Sequence, residues 1–364
     1  MRDRGTADRR CVTDELRHAR VREAAHEWVD ATGFDPVTRI TTYATCPSHA
    51  RHPFATANVS RRMKRTLLLA SILISAAMTA HADEPVARQS LTFGGITRTY
   101  VVRTPVTQAG NGARVPLVLV LHGGGGNAAN AEQMTGFTEK ARKEGFIVVY
   151  PEGTGRLKTM LLTWNAGHCC GYAMKQQIDD VGFMRALIDK LVQTYPVDTA
   201  RIYATGMSNG GMMTHRLGIE LSDRLAAIAP VVATVFGDEQ KPAHPVSALM
   251  INGMLDQHVP HAGGAPGGRG ADAWDGSPTR PTLEQAAFWA KADGCTGSPV
   301  EDDDSRRSMW RYRCPSGRAV ELVLVKDNGH AWPGGQPGNR RGDIPSSVLN
   351  ATDAIWEFFK AHPK

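Results

Sequence analysis

Six short, uninterrupted apolar runs constrain this fold more than anything else in the chain: VPLVLVLHGG, GFIVVYPEG, ARIYATGMS, AAIAPVVAT, PVSALMING and VELVLVKDNGH, spread between Val115 and His330. A strand with one wet face alternates apolar and polar side chains, so runs without alternation mark strands buried on both faces. The segments between them, among them DDVGFMRALIDKLVQTY, NGGMMTHRLGIEL, TLEQAAFWAKAD and the final SVLNATDAIWEFFKAH, read as amphipathic helices. Strands and helices in alternation predict an α/β architecture, a mostly parallel sheet with helices on both faces. SLTFGGITRTYVVRTP alternates around Gly94-Gly95 and predicts an antiparallel hairpin at the N-terminal edge. No repeat, linker or shift of composition interrupts residues 83–364, which are expected to form one domain. In such sheets ligands gather beyond the carboxyl ends of the strands.

Upstream, MKRTLLLASILISAAMTAHADE opens at Met63 with two basic residues and an apolar run from Thr66 to Ala80. That run is shorter than the roughly 20 residues a membrane-crossing helix needs, and Ala80-His81-Ala82 suits a cleavage site. Residues 63–82 are therefore expected to be a secretory signal peptide, releasing an unanchored product to the extracellular or periplasmic space. Residues 1–62 precede it and are expected to be a leader from a misplaced start; a genuine extension, helical over DELRHARVREAAHEWVD, is the alternative. The charge balance follows the same division. Of 42 Lys and Arg, 13 lie before Asp83, against 8 of 36 Asp and Glu, so the remainder is close to neutral. Nothing there suggests a nucleic-acid partner or an anionic membrane surface.

Four cysteines follow the signal, an even number suited to an oxidising compartment. Cys295 and Cys314 are expected to bridge, whereas the adjacent Cys169 and Cys170 either form a vicinal disulfide or stay buried as thiols. No His or Cys spacing resembles a zinc site, and no metal or organic cofactor is expected.

The chemistry centres on YATGMSNGGMM, where Gly206-Met207-Ser208-Asn209-Gly210 ends an apolar strand and opens a helix. Glycines on both sides of the serine remove the Cβ atoms that so tight a turn would drive together, and the turn lifts Oγ above the sheet. A serine needs a base. His330 follows the last buried strand in a Gly/Pro-rich loop and suits that role better than His122, His168, His258 or His261. The orienting acid should lie between serine and histidine in chain order, and Asp256, in INGMLDQHVP, stands at the end of the penultimate strand, with Asp238 as the fallback. His122 is expected to organise the HGGGGN loop beside it, whose Gly124 or neighbouring Gly125 amide would join that of Asn209 in an oxyanion hole. A phosphate-cradling loop is excluded because no Gly-Lys-Ser/Thr follows.

LHGGGGN, TWNAGHCCGYA, DDVGF, ATGMSNGGMM, INGMLDQHVP and NGHAWPGG resemble, in order, the stretches of one family of α/β-hydrolases, the polyhydroxybutyrate depolymerase-like esterases, which include feruloyl and acetyl-xylan esterases. The resemblance implies Ser208, Asp256 and His330 as nucleophile, acid and base. It also implies Trp332 and Trp164 as aromatic faces for a polymer unit or aryl group. Asp179 and Asp180 are expected to cap the helix of DDVGF. The short stretch from Val232 to Val246 leaves no room for a large lid domain, so an open cleft is expected. The resulting expectation is a monomeric secreted ester hydrolase acting on polyhydroxyalkanoate-type oligomers or polyesters, with crystalline polymer a doubtful substrate in the absence of a binding domain. Feruloyl or acetyl-xylan esters on polysaccharide are the alternative, and a non-catalytic secreted binding module is the competing class.

Overall fold

The computed structural model describes residues 88–105, 113–268 and 270–364, so the expected leader (1–62) and signal peptide (63–82) lie outside the described residues. In chain order the elements are β1 (Gln89–Phe93), β2 (Ile96–Arg103), β3 (Val115–Leu121), α1 (Ala128–Thr135), α2 (Phe137–Glu144), β4 (Ile147–Pro151), α3 (Gly171–Lys175), α4 (Asp180–Thr194) and β5 (Val197–Met207). They continue with α5 (Asn209–Glu220), β6 (Ala227–Val231), β7 (Ser247–Gly253), α6 (Thr282–Ala292), β8 (Thr296–Asp303), β9 (Arg307–Arg313), β10 (Ala319–Val325) and α7 (Ala351–Ala361).

The ten strands among the described residues join one sheet in the order β1-β2-β4-β3-β5-β6-β7-β10-β9-β8. The six apolar runs are its centre, β4 through β10, and every pairing among them is parallel. Within one run the side chains alternate between two cores: Leu117, Leu119 and Leu121 enter one, Val118 and Val120 the other. Both faces are dry, so both sets are apolar. Helices α4, α5 and α6 cover the first face, and α1, α2 and α7 the second, with Phe137 and Phe359 at full burial. Complete burial of one such side chain stabilises by about 1.5–3 kcal/mol.

The edges differ from the centre. β1 and β2 form the expected antiparallel hairpin and join β4. A second antiparallel hairpin, β8–β9, extends the other edge from β10 and is invisible to a search for apolar runs. β8 ends in Glu301, Asp302 and Asp303 and is exposed at nearly every position, the charged character by which an outer strand avoids pairing with another chain. The Cys295–Cys314 disulfide closes the open end of this hairpin, immediately before β8 and immediately after β9.

No described helix is long and apolar enough to cross a membrane. The stretch between β6 and β7 forms no helix or strand. A longer stretch lies between β7 and α6, where the described residues of 254–281 contain one 3-10 turn, Ala271–Ala273, and residues of it line the cleft that holds Ser208.

Candidate active site

Ser208 alone makes the turn from β5 into α5, with φ 57° and ψ −125°, a conformation rare for a residue with a side chain. Its amide donates to the Val231 carbonyl (3.0 Å), and its carbonyl accepts the first helical bond, from Met212 N–H (2.8 Å). A Cβ on Gly206 would lie 2.6 Å from the Gly210 carbonyl oxygen, and one on Gly210 would lie 2.4 Å from that of His122. Both glycines are therefore demanded by backbone contact between β5, α5 and the end of β3.

Two loops bring their side chains to this turn. His330 Nε2 is 2.8 Å from Ser208 Oγ, and His330 Nδ1 is 2.8 Å from Asp256 Oδ2. The other Asp256 oxygen accepts the amides of His258 (2.8 Å) and Val259 (2.9 Å), and the side chain is 1% exposed. A carboxylate held in this way accepts a hydrogen bond from Nδ1–H, which fixes the tautomer and turns the Nε2 lone pair toward the serine hydroxyl. The histidine loop has its own support, since the His330 amide donates to Asp343 Oδ2 (2.6 Å). Asp238, the fallback acid, lies 2.9 Å from His168 Nε2 and belongs to a different cluster. Asp256, His258 and His330 present ligand-capable atoms within 4.8 Å of one another. Both Asp256 oxygens are engaged, one by the histidine ring and the other by two amides.

His122 organises the glycine loop through a single tautomer. Burial pushes its imidazole down to about 4, so the ring is neutral; Nδ1–H donates to the Gly123 carbonyl (2.8 Å) and Nε2 accepts the Gly153 amide (3.0 Å). Of the two glycines expected as oxyanion donors, Gly125 is excluded, because its amide already donates to the Leu162 carbonyl (2.8 Å). Gly124 remains. A Cβ there would lie 3.6 Å from Asn209 Cβ, which puts the Gly124 backbone beside the residue after Ser208.

Trp164 and Trp332 do not face substrate. Both are fully buried. Trp164 Nε1 donates to the His122 carbonyl (3.0 Å), and Trp332 Nε1 to Thr352 Oγ1 (3.0 Å) with its ring edge-on to Phe137. Indoles in a core still need a partner for N–H, and both have one. The aromatic ring in the cleft is that of Trp274, half-buried, in a cleft of about 700 Å3 that also takes in Ser208, His330, Cys170 and Arg341. Its sequence surroundings, GADAWDGS, are a polar loop with no periodicity, so only the fold could point to it. Cys169 and Cys170 form a buried vicinal disulfide, and Cys169 bridges to the Trp274 backbone.

The two aspartates of DDVGF divide the work expected of both. Asp179 caps α4, accepting the Gly182 amide (2.7 Å). Asp180 is buried, pairs with the Arg98 guanidinium, and accepts the Asn165 amide (2.7 Å). Burial pushes its carboxyl up, against the opposing pull of Arg98. The sequence signal for Asp180 was the doubled aspartate, of which a helix start needs one.

Comparison with known proteins bears on the family and the fold. A family profile described as Esterase PHB depolymerase matches residues 99–260. Feruloyl esterase B of Piromyces equi is 32% identical over 248 residues, 66% of this chain and 44% of that protein, so the chain spans less than half of it. A protein of Nocardia uniformis subsp. tsuyamanensis that carries the name "Putative esterase NocK" is 30% identical over 285 residues, 75% of this chain and 80% of its own. Poly(3-hydroxybutyrate) depolymerase of Ralstonia pickettii is 24% identical over 309 residues, 75% of this chain and 59% of that one. Among solved structures, acetyl xylan esterase from Aspergillus awamori superposes with a TM-score of 0.53 at 12% identity, covering 75% of this chain and 98% of that one, a likeness of fold.

Proposed function

The chain belongs to the PHB depolymerase family of α/β-hydrolase esterases, and from that premise we propose that it is a secreted, monomeric serine carboxylic-ester hydrolase working through an acyl-enzyme. The observation that carries the proposal is the pair of 2.8 Å contacts linking Ser208, His330 and Asp256. Ser208 Oγ attacks the ester carbonyl as His330 Nε2 takes its proton; Asp256 holds the ring and stabilises the imidazolium that forms. The amides of Gly124 and Asn209 receive the charge on the carbonyl oxygen, each such donor being worth roughly 3 kcal/mol. His330 then returns the proton to the leaving alcohol, and water attacks the acyl-serine by the same route. Secretion is supported by the sequence of residues 63–82 and by the Cys295–Cys314 disulfide.

The substrates proposed are polyhydroxyalkanoate-type oligomers or polyesters. A second reading, feruloyl or acetyl-xylan esters, is favoured by the Trp274 ring in the cleft and by the feruloyl esterases among the relatives. Turnover of hydroxybutyrate oligomers, methyl ferulate and acetylated xylan under one set of conditions tests both. A kcat/KM highest on the oligomers is expected; a ferulate preference of tenfold or more would select the second reading, and no turnover of any ester would leave a binding module.

A further inference from the structure

Resting on the acyl-transfer reading, we infer that the side chain of Asn209 is a positioning residue which, through the segment Leu162–Trp164, holds the two oxyanion donors in register. The amides of Asn209 and Gly124 belong to elements distant in sequence, one at the start of α5, the other in the loop after β3. A hole built from two loops works only if their separation is fixed, and a displacement of about 1 Å can cost a hundredfold in rate.

One segment grips both. Asn209 Oδ1 accepts the Trp164 amide (2.7 Å) while Asn209 Nδ2–H donates to the Trp164 carbonyl (2.9 Å), a reciprocal pair that ties the nucleophile helix to Trp164. Two residues earlier, the Leu162 carbonyl accepts the Gly125 amide (2.8 Å), which fixes the peptide next to the Gly123–Gly124 peptide that carries the Gly124 N–H. The Trp164 indole adds a third tie, to the His122 carbonyl at the root of the same loop. The next residue, Asn165, is anchored from the far side by Asp180. Asn209 is 1% exposed, so an unmade bond at this point finds no water to replace it. A side-chain amide offers a donor and an acceptor side by side at this length, whereas an ionised carboxylate offers acceptors alone. A serine hydrolase needs nothing of this side chain for proton transfer, so its burial and two short bonds point to geometry as its task.

The test compares wild type with Asn209→Ala and Asn209→Asp; the aspartate keeps the acceptor for the Trp164 amide but sets an oxygen against the Trp164 carbonyl. Circular dichroism reports folding, steady-state kinetics on an activated ester report kcat and KM, and a trifluoromethyl ketone reports affinity for a tetrahedral adduct. In both variants kcat should fall about ten- to a hundredfold, with KM within about twofold and ketone affinity lost in proportion to kcat. Folded variants with wild-type kcat and ketone affinity, or a loss confined to KM, would overturn the inference. So would failure of both variants to fold, which would make the residue a part of the core only. A wild type that turns over no ester would instead remove the reading beneath it.

Discussion

Two of the described histidines sit against carboxylates at nearly equal distances, and only one turns its second ring nitrogen to a hydroxyl. His330 meets Asp256 at 2.8 Å through Nδ1 and Ser208 at 2.8 Å through Nε2. His168 meets Asp275 at 2.7 Å through Nδ1 and Asp238 at 2.9 Å through Nε2, with Ser277 Oγ 3.0 Å from Nδ1. The partner of the second nitrogen decides the difference. A ring between a carboxylate and a hydroxyl keeps one lone pair free to accept a proton, whereas a ring between two carboxylates satisfies both by carrying two protons. Burial separates them as well: Asp256 is 1% exposed, Asp275 40% and Asp238 67%. His168 is thus a strut, joining the loops that hold Phe236 and Trp274 to the segment beside the vicinal disulfide.

The largest expected effect breaks the comparison at its centre. His330→Ala or Asp256→Ala should lower kcat by about 10^3 to 10^4 or more in a folded protein, while Asp238→Ala leaves it within about threefold. Equal losses in the Asp256 and Asp238 variants, by steady-state kinetics, would mean the two clusters had been assigned the wrong way round.

A buried carboxylate that takes no part in proton transfer sharpens the contrast between turnover and stability. Asp180→Ala strands Arg98, a side chain 4% exposed, and should cost about 3–5 kcal/mol in denaturant unfolding. A variant of unchanged midpoint would show that the pair contributes little.

Next in size is Trp274→Ala. It should raise KM for methyl ferulate about tenfold, through loss of an aromatic face, with a smaller change for hydroxybutyrate oligomers. Equal changes on both substrates would remove Trp274 from aryl recognition. His168→Asn, which loosens the loop bearing that ring, should raise the same KM only two- to threefold and leave kcat in place.

The smallest effect is one of pH. Burial favours the neutral His168 ring, but the hydrogen bonds and charges of Asp238 and Asp275 outweigh it and raise the pKa above 6.5. A raised folded value means the strut's contribution is complete below the unfolded pKa and is lost as pH rises through the folded one. The Tm difference between wild type and His168→Asn should therefore shrink on the alkaline side. A difference that grows with pH would contradict the charged strut.

Much of this was legible in the chain. The six central strands were, because burial on both faces leaves no room for polar alternation. The meeting of Ser208, Asp256 and His330 was, because each ends a parallel strand and the sheet brings those ends to one edge. The β8–β9 hairpin was not, since an edge strand facing water carries charges that read as loop. The tryptophans were misread for a related reason: whether an indole lines a cleft or fills a core is set by what packs on it, and Trp164 and Trp332 lie in loops whose sequences look exposed. Gly125 shows the same limit at one atom, as its amide is consumed by Leu162, a partner 37 residues away.

The most direct measurement is covalent labelling of the folded wild-type protein with a fluorophosphonate, followed by mass mapping of the adduct. Modification of Ser208 alone, abolished in Ser208→Ala and slowed by orders of magnitude in His330→Ala, is the expected result. A folded wild type that stays unmodified, or an adduct on another residue, would contradict it.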